Sequence, residues 1–295
     1  MKVERLALIG CGLMGGSFAL ALRQAGKVAS VAGYSASEAT RTQARELGIL
    51  DQACDSIAQA VQGADLVLLA VPVRATAACL QAMQPALSAQ ALLMDVGSTK
   101  GDVVQAARAQ LGNRLANFVP AHPIAGKELA GIAHADALLY RERRCILTPL
   151  AENSPALLAK AEQVWQAVGC HVSRMSPEAH DATFAAVSHL PHLLAFATLN
   201  GLTQQANHAE LLAMAGPGFR DFTRIAASAP EVWRDILHAN QAQVLHQLTF
   251  FQSALTDLEQ ALRHGDAEAL QALIARASQA RAGWHLQSGH ASPES

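Results

Sequence analysis

The sequence predicts an α/β protein: a doubly wound parallel sheet over residues 1–174, followed by an all-helical domain over residues 175–295. In the first part, short apolar runs alternate with helical patterns. Runs such as LVLLAV (66–71) have no polar face, which is typical of parallel strands covered by helices on both sides. After Met175 no strand pattern follows. Ser176, Pro177 and Glu178 favour a helix start, because a capping hydroxyl precedes proline and an acid in the first turn.

The individual elements follow from periodicity and from start and stop residues. We predict strands at residues 5–9, 28–33, 66–71, 92–96, 117–120, 145–148 and 171–174. We predict helices at residues 14–25, 38–47, 74–84 and 101–111. Ser37 is expected to cap the second of these helices, and Gly48 to end it in a left-handed turn. In the second part, Asp266 is expected to cap a final helix.

Residues 230–264 predict one long helix with an apolar stripe. Its apolar residues step by four and three: Val244, Leu248, Phe251, Leu255, Leu258 and Leu262. That spacing is typical of a packing seam, either within the chain or between two chains.

Composition narrows the class of protein. The chain has 295 residues, 51% hydrophobic and 16% charged, with a formal net charge of −2. Those values predict folded domains and argue against a nucleic-acid or anionic-membrane partner. Five cysteines form no CxxC pattern, which favours reduced thiols in the cytoplasm. Residues 182–209 carry no Asp, Glu, Lys or Arg, but their histidines and amides favour a buried domain helix over a membrane span. No targeting signal is visible, and small polar residues from Ser288 predict a frayed tail.

A glycine-rich turn predicts a Rossmann-type dinucleotide site. Residues 10–15, GCGLMG, follow one predicted strand directly and open a helix. Gly10 allows the tight turn, Gly12 lets the backbone approach a pyrophosphate, and Gly15 lets the helix lie close to the strand. Leu13 and Met14 complete the motif.

The rest of the cofactor site is expected after the neighbouring strands. Val71 and Pro72 end the strand at 66–71 and should border the cofactor. Ser35 stands where an NAD site usually has an acid. Without that carboxylate, Ser35, Ser37 or Arg41 can bind a 2′-phosphate, so NADP is favoured over NAD. The alternative is that Glu38 or the backbone serves NAD.

Polar side chains cluster after two strands and in the helical part. The clusters are residues 95–101 (DVGSTKG), 121–128 (AHPIAGKE), 187–192 (VSHLPH) and 218–224 (GFRDFTR). Ligands bind at the carboxyl ends of parallel strands, so Ser98 and Lys100 are expected to face the cleft. His189 and His192 lack a third ligand at a sensible spacing, so we predict no metal site.

Taken together, the motifs are characteristic of a single protein family. In the order GCGLMGGS, DVGSTKG, HPIAGKE, MSPEAHD, VSHLPH and GFRDFTRIA, the chain resembles the prephenate/arogenate (cyclohexadienyl) dehydrogenase family over residues 2–263. The resemblance implies oxidative decarboxylation of prephenate and/or arogenate with hydride transfer to NAD(P), in tyrosine biosynthesis. It also implies a homodimer built by the helical domain.

The resemblance implies roles for particular residues. His122 matches the catalytic base, and Ser98 the serine that hydrogen-bonds the substrate hydroxyl and His122. Arg224 matches an arginine that holds a carboxylate, for which its planar fork is suited. His189 matches a second substrate-binding histidine.

Four further residues are expected around these. Asp221 and Trp233 fall on positions that support the site, and Lys127 and Glu128 are expected at the substrate. Family members often have Thr or Ser where this chain has Lys127, which leaves recognition of the substrate's side chain open.

Two alternative hypotheses for the function fit parts of the sequence. A β-hydroxyacid-type dehydrogenase shares the architecture but uses a lysine from the helical domain, and the last lysine here is Lys160. A non-catalytic dinucleotide sensor would keep the glycines but would not need Ser98, His122, His189 and Arg224 together. The choice between prephenate and arogenate stays open.

Overall fold

The computed structural model describes residues 2–127 and 129–285. Glu128 and the tail from Ser288, on which predictions were made, lie outside this part. The first domain is built on a six-stranded sheet in the order β3-β2-β1-β4-β5-β6, whose paired strands are all parallel. Its strands are β1 Val3–Ile9, β2 Val28–Tyr34, β3 Gln52–Ala53, β4 Leu66–Leu69, β5 Leu92–Asp95 and β6 Phe118–Val119. The predicted doubly wound parallel sheet is confirmed.

The last two predicted strands do not join this sheet. They form a second sheet with a strand that the sequence did not reveal: β7 Ala121–Pro123, β8 Arg144–Leu147 and β9 His171–Arg174. β7 runs antiparallel to β8, and His122 pairs with Ile146. Pro120 separates β6 from β7, and because proline has no N–H it cannot continue a ladder as a donor. The chain therefore changes sheets there, which places His122 on a separate short strand.

The helices of the first domain cover both faces of the sheet. They are α1 Leu13–Gln24, α2 Glu38–Glu46, α3 Ile57–Val61, α4 Thr76–Met83, α5 Gly101–Gln110 and α6 Pro155–Ala167. The predicted cap of α2 is confirmed, since Ser37 Oγ accepts a hydrogen bond from the Thr40 amide at 3.2 Å. Gly48 has φ +68°, as expected for a left-handed end. On one face Phe18, Tyr140 and Trp165 pack edge to face, with Phe18 and Trp165 centroids 5.0 Å apart.

After β9, the described residues form helices. They are α7 Pro177–Phe184, α8 Leu190–Thr203, α9 His208–Ala213, α10 Pro217–Thr223, α11 Pro230–Ala239, α12 Gln241–His264 and α13 Ala267–Gly283. Ser176 caps α7 and Asp266 caps α13, as predicted. Between α7 and α8, residues Ala185–His189 form a π-turn, so the two helices run on as one rod with a local shift of face.

The prediction of one helix over 230–264 is wrong. The helix breaks at Asn240, whose backbone (φ −108°, ψ 28°) separates α11 from α12. The Asn240 side chain is buried, and its amide donates to the Asp181 carbonyl at 2.8 Å. Apolar spacing cannot reveal a one-residue break that serves a polar contact.

The apolar stripe on α12 is only partly covered within one chain. Val244 is buried, whereas Leu255 and Leu262 are 51% and 65% exposed. The rod over residues 177–203 is long and apolar enough to cross a membrane by length and composition alone, and 28% of its apolar window is buried. The prediction that this segment is a buried helix therefore holds only in part, because Ala195 is its one fully buried residue within α8.

An ion pair in the interior joins the two sheets. Asp95, at the end of β5, accepts hydrogen bonds from the amides of Gly97 at 2.8 Å and Ala121 at 2.9 Å. The fully buried Lys100 ammonium pairs with Asp95 and donates to the Ala121 carbonyl at 2.7 Å. The prediction that Lys100 faces the cleft is therefore wrong, since its charge is used inside. The pair fixes β7 against the loop that carries Ser98.

We predict that Lys100→Met lowers the free energy of unfolding by about 3–5 kcal/mol, because it leaves the Asp95 carboxylate buried without its cation. Arg263→Met is the matched control. It removes an exposed pair with Glu259 (2.7 Å), which is worth less than about 1 kcal/mol. Urea unfolding of both variants measures the difference, and equal losses would contradict the role given to Lys100.

Candidate active site

The glycine-rich turn has the geometry that each of its glycines was expected to need. Gly10 has φ +99°, and a Cβ there would overlap the Ala70 carbonyl. A Cβ on Gly15 would overlap the Gly10 carbonyl, so α1 packs directly on the turn. Gly12 has open space where its Cβ would be. The turn therefore leaves a backbone surface free beside the positive end of α1, where a pyrophosphate fits.

A cleft of about 400 Å³ lies between this turn and α11. It brings together residues that the sequence assigned separately to cofactor, catalysis and substrate: Gly12, Leu13, Met14, Val71, Pro72, Ser98, Lys127 and Trp233. Its walls are the loops at the carboxyl end of the sheet and α11. Its lining combines glycine backbone, apolar side chains and a few polar groups, which is typical of a dinucleotide site.

The end of β2 carries a cation next to Ser35. Arg41 Nη1 donates to the Ser35 carbonyl at 2.6 Å, and its guanidinium lies 5.8 Å from the centre of the Tyr34 ring. Arg41 also pairs with Asp55 at 3.3 Å. The Arg41 side chain is 13% exposed and that of Asp55 is 91% exposed. Arg41 is therefore held in place, whereas Asp55 is in water. Glu38, the alternative ribose ligand, is exposed in the first turn of α2.

His122 begins a hydrogen-bonded chain that crosses into the helical domain. Its Nδ1 lies 2.8 Å from His180 Nε2, and His180 Nδ1 lies 2.8 Å from Asp181 Oδ1. The Asp181 carboxylate also accepts from the amides of Lys100 and Gly101, each at 2.8 Å. Sequence reasoning singled out the MSPEAHD motif but gave His180 and Asp181 no role. The adjacent His and Asp were the available signal, but nothing in their spacing tied them to His122.

The pKa shifts of His122, His180 and Asp181 indicate which of these side chains are charged. Burial lowers the pKa of His122 well below its usual value, and the neighbouring His180, Lys100 and His189 lower it further. Burial also lowers the pKa of His180, although Asp181 opposes this. Burial disfavours the charged form of Asp181, but hydrogen bonds from His180 and the two α5 amides prevail and lower its pKa. At neutral pH Asp181 is a carboxylate and both imidazoles are neutral.

The tautomers follow from these charges. The Asp181 carboxylate can only accept, so His180 carries its proton on Nδ1 and accepts on Nε2. His122 therefore donates from Nδ1, which leaves its Nε2 unprotonated. A half-buried imidazole with a free Nε2 lone pair is suited to take a proton from a hydroxyl.

Of the two histidines in VSHLPH, the one expected to bind substrate, His189, is the more buried. His189 is 1% exposed, and its Nδ1 lies 3.1 Å from the Asn240 amide nitrogen. Burial lowers its pKa to about 4. His192 is only half-buried and stacks face to face on Trp233, with ring centroids 3.4 Å apart. The structure thus places His189 inside the helical domain and leaves His192 as the more accessible histidine of the motif.

The remaining predicted residues are only partly brought together. Arg224 follows α10 and is exposed. Burial lowers the pKa of His192, and the charge of Arg224 lowers it further. Asp221 pairs with Arg220 at 2.9 Å and is exposed, so the expected supporting role is not seen within the described part of one chain. Lys127 lines the cleft and pairs with Asp136 at 2.8 Å. The hydrogen bonds of the described residues include none between Ser98 and His122.

Comparisons with known proteins agree with this geometry. Residues 18–174 match the nucleotide-binding domain of prephenate dehydrogenase, and residues 176–276 match its dimerization domain. The chain is 36% identical to a cyclohexadienyl dehydrogenase of Zymomonas mobilis, over 90% of this chain and 91% of the relative. A prephenate dehydrogenase from A. aeolicus, solved with hydroxyphenyl propionate and NAD+, is 35% identical with a TM-score of 0.89, covering 96% of this chain and 98% of that one. A Synechocystis arogenate dehydrogenase is 26% identical with a TM-score of 0.81, covering 95% and 99%.

The Rossmann sheet, the glycine turn and these matches define a dehydrogenase with a nicotinamide cofactor. The chain belongs to the prephenate dehydrogenase family. The β-hydroxyacid alternative is not favoured, since no lysine follows Lys160.

We predict that His122→Asn lowers kcat by about 10²–10⁴-fold, the usual cost of losing a general base, with little change in cofactor affinity. In the unchanged chain, kcat/KM should stay level as the pH falls past 6.5 and drop only in more acid solution. The reason is that the lowered pKa keeps His122 unprotonated there. Steady-state kinetics across pH measures both, and a His122→Asn variant with an undiminished kcat would remove the assignment.

Proposed function

We propose that this enzyme converts prephenate, arogenate or both by oxidative decarboxylation, with His122 as the base. The observation that carries the proposal is the hydrogen-bonded series from Asp181 through His180 to His122, which leaves Nε2 of His122 to act as the acceptor. His122 Nε2 takes the proton of the ring C4 hydroxyl while C4 becomes a carbonyl and loses hydride. The C–C bond to the ring carboxylate then breaks and carbon dioxide leaves. The electron pair of that bond makes the ring aromatic, and the C4 oxygen takes its proton back from His122 to become the phenol hydroxyl. The nicotinamide, when bound, accepts the hydride.

The substrate needs cations for its carboxylates and a donor for its hydroxyl. Ser98 lines the cleft at the end of β5 and is assigned to the hydroxyl. Arg224 is assigned to a carboxylate, since its fork binds both oxygens. We assign the accessible contact of the VSHLPH motif to His192 rather than to the buried His189. Lys127 lines the same cleft and is assigned to the side chain of the substrate.

For the cofactor, we propose a preference for NADP over NAD. Ser35 offers no negative charge to repel a 2′-phosphate. The Arg41 guanidinium lies against the Ser35 carbonyl, where a 2′-phosphate can pair with it. Asp55 competes for Arg41, but its carboxylate is largely in water, so that contact is weak.

We further propose that the enzyme is a cytoplasmic homodimer joined through the helical domain. Large apolar side chains that one chain leaves open support this: Val187, Phe222, Phe250, Leu255 and Leu262. Burying such a face against a second copy removes apolar surface from water.

Steady-state kinetics with both substrates crossed against both cofactors tests the function and the cofactor preference together. We expect turnover with at least one cyclohexadiene and a higher kcat/KM with NADP. Ser35→Asp should shift the ratio of the two kcat/KM values toward NAD, because the new carboxylate binds ribose hydroxyls and repels the phosphate. Gln43→Glu, at an exposed position of α2, controls for added charge alone. A clear NAD preference in the unchanged chain would contradict the proposal on Arg41.

The dimer is tested with Leu255→Glu/Leu262→Glu. We expect light scattering at micromolar concentration to give a dimer for the unchanged chain and a monomer for this variant, since two charges would be buried in the seam. Leu47→Glu, which replaces a side chain 51% exposed in the first domain, should leave the dimer intact. A monomeric unchanged chain would exclude this interface.

A further inference from the structure

We infer that His180 and Asp181 form a positioning pair by which the helical domain sets the tautomer of His122. The inference rests on the proposed role of His122 as the base. His180 touches His122 directly, whereas Asp181 acts through His180. Neither residue needs to contact the substrate for this role.

The pair is held from both domains. His180 is fully buried and lies against Phe184 on the same helix, with ring centroids 4.5 Å apart. The Asp181 carboxylate accepts the amides of Lys100 and Gly101, at the start of α5. Helix-start amides have no partner within their own helix, so these two amides and the positive end of α5 favour a negative charge there. Asn240 holds the Asp181 carbonyl from the start of α12.

The charged and titratable groups around the pair are consistent with one proton arrangement. Lys100, Asp95 and Asp102 face it from the first domain, and His189 from the π-turn. Lys100 and Asp95 are already paired with each other, so Asp181 is the charge that orients the imidazoles. His180 must then donate to Asp181 and accept from His122. A neutral imidazole in water has no such constraint, so it can carry its proton on either of its two ring nitrogens.

The same contact couples the base to the loop of Ser98. Ser98 precedes Lys100 and Gly101 by two and three residues, and Asp181 is bonded to the amides of both. The helical domain thus fixes the loop and the protonation of His122 with one carboxylate. When His122 takes a proton on Nε2, its Nδ1–H remains bonded to His180, and the Asp181 carboxylate beyond stabilises the cation. In the Ser-His-Asp triad, removing the comparable carboxylate charge leaves the geometry intact and lowers kcat by about 10⁴-fold.

The test compares His180→Gln with His180→Met, two side chains of similar length. Gln keeps an oxygen that can accept from His122 Nδ1, and Met does not. We expect Met to lower kcat by about 10²-fold with KM changed only a few-fold, and Gln to recover at least about tenfold of that loss. His208→Gln, on exposed α9, is the control and should keep the full kcat. Equal kcat values for Gln and Met would overturn the inference.

A readout independent of turnover separates this inference from the proposed function. In ¹⁵N-histidine NMR of the free protein, His122 should show a protonated Nδ1 and an unprotonated Nε2. That pattern should persist in His180→Gln and be lost in His180→Met. An unchanged pattern in the Met variant would overturn the inference even if the enzyme turns over, while absent turnover with the expected pattern would count against the proposed function alone. If the Met variant does not fold, Asp181→Asn gives the same test, and an unchanged pattern and kcat there would likewise overturn it.

Discussion

The buried pair of Asp95 and Lys100 is the constraint on which the rest of the site depends. The first domain contains two sheets that share no strand, and this pair joins them where β5 ends and β7 begins. An ion pair without water costs much desolvation energy, which is offset only if its remaining hydrogen bonds are made. Here the amides of Gly97 and Ala121 and the Ala121 carbonyl make them. Ser98 and His122 are each adjacent to a residue that is hydrogen-bonded to this pair. Their relative positions at the carboxyl end of the sheet are therefore fixed.

The second domain completes the chemistry rather than only covering it. His122 comes from the first domain, but the acceptor for its Nδ1 proton comes from α7. Several imidazoles are crowded into an apolar region, and burial lowers the pKa of His122, His180 and His189 alike. Neutral histidines can lie close together where charged ones would repel each other. The single carboxylate of Asp181 then suffices to order their protons.

The helical domain buries less of its apolar surface within one chain than the first domain does. Nearly all large fully buried side chains belong to the Rossmann domain, while α8 and α12 keep much apolar surface open. The match of residues 176–276 to a dimerization domain fits that imbalance. The helix over 177–203 is apolar yet carries His180, Asp181 and His189. It satisfies these polar groups against both domains of the chain and keeps much of its apolar surface exposed.

Local chemistry by itself determined the parallel sheet, the roles of Gly10 and Gly15, the caps Ser37, Ser176 and Asp266, and the motifs that identify the family. Each of these has a signal in residues close together in the chain, so periodicity and turn preferences reveal it. The tertiary structure decided the rest. It moved β8 and β9 to a second sheet, buried Lys100, broke the long helix at Asn240, and placed His189 inside while leaving His192 accessible. It also joined His122 to His180 and Asp181. These outcomes depend on partners up to 81 residues apart in the chain. Hydrogen bonding at that separation is set by how the two domains pack, which no local pattern encodes.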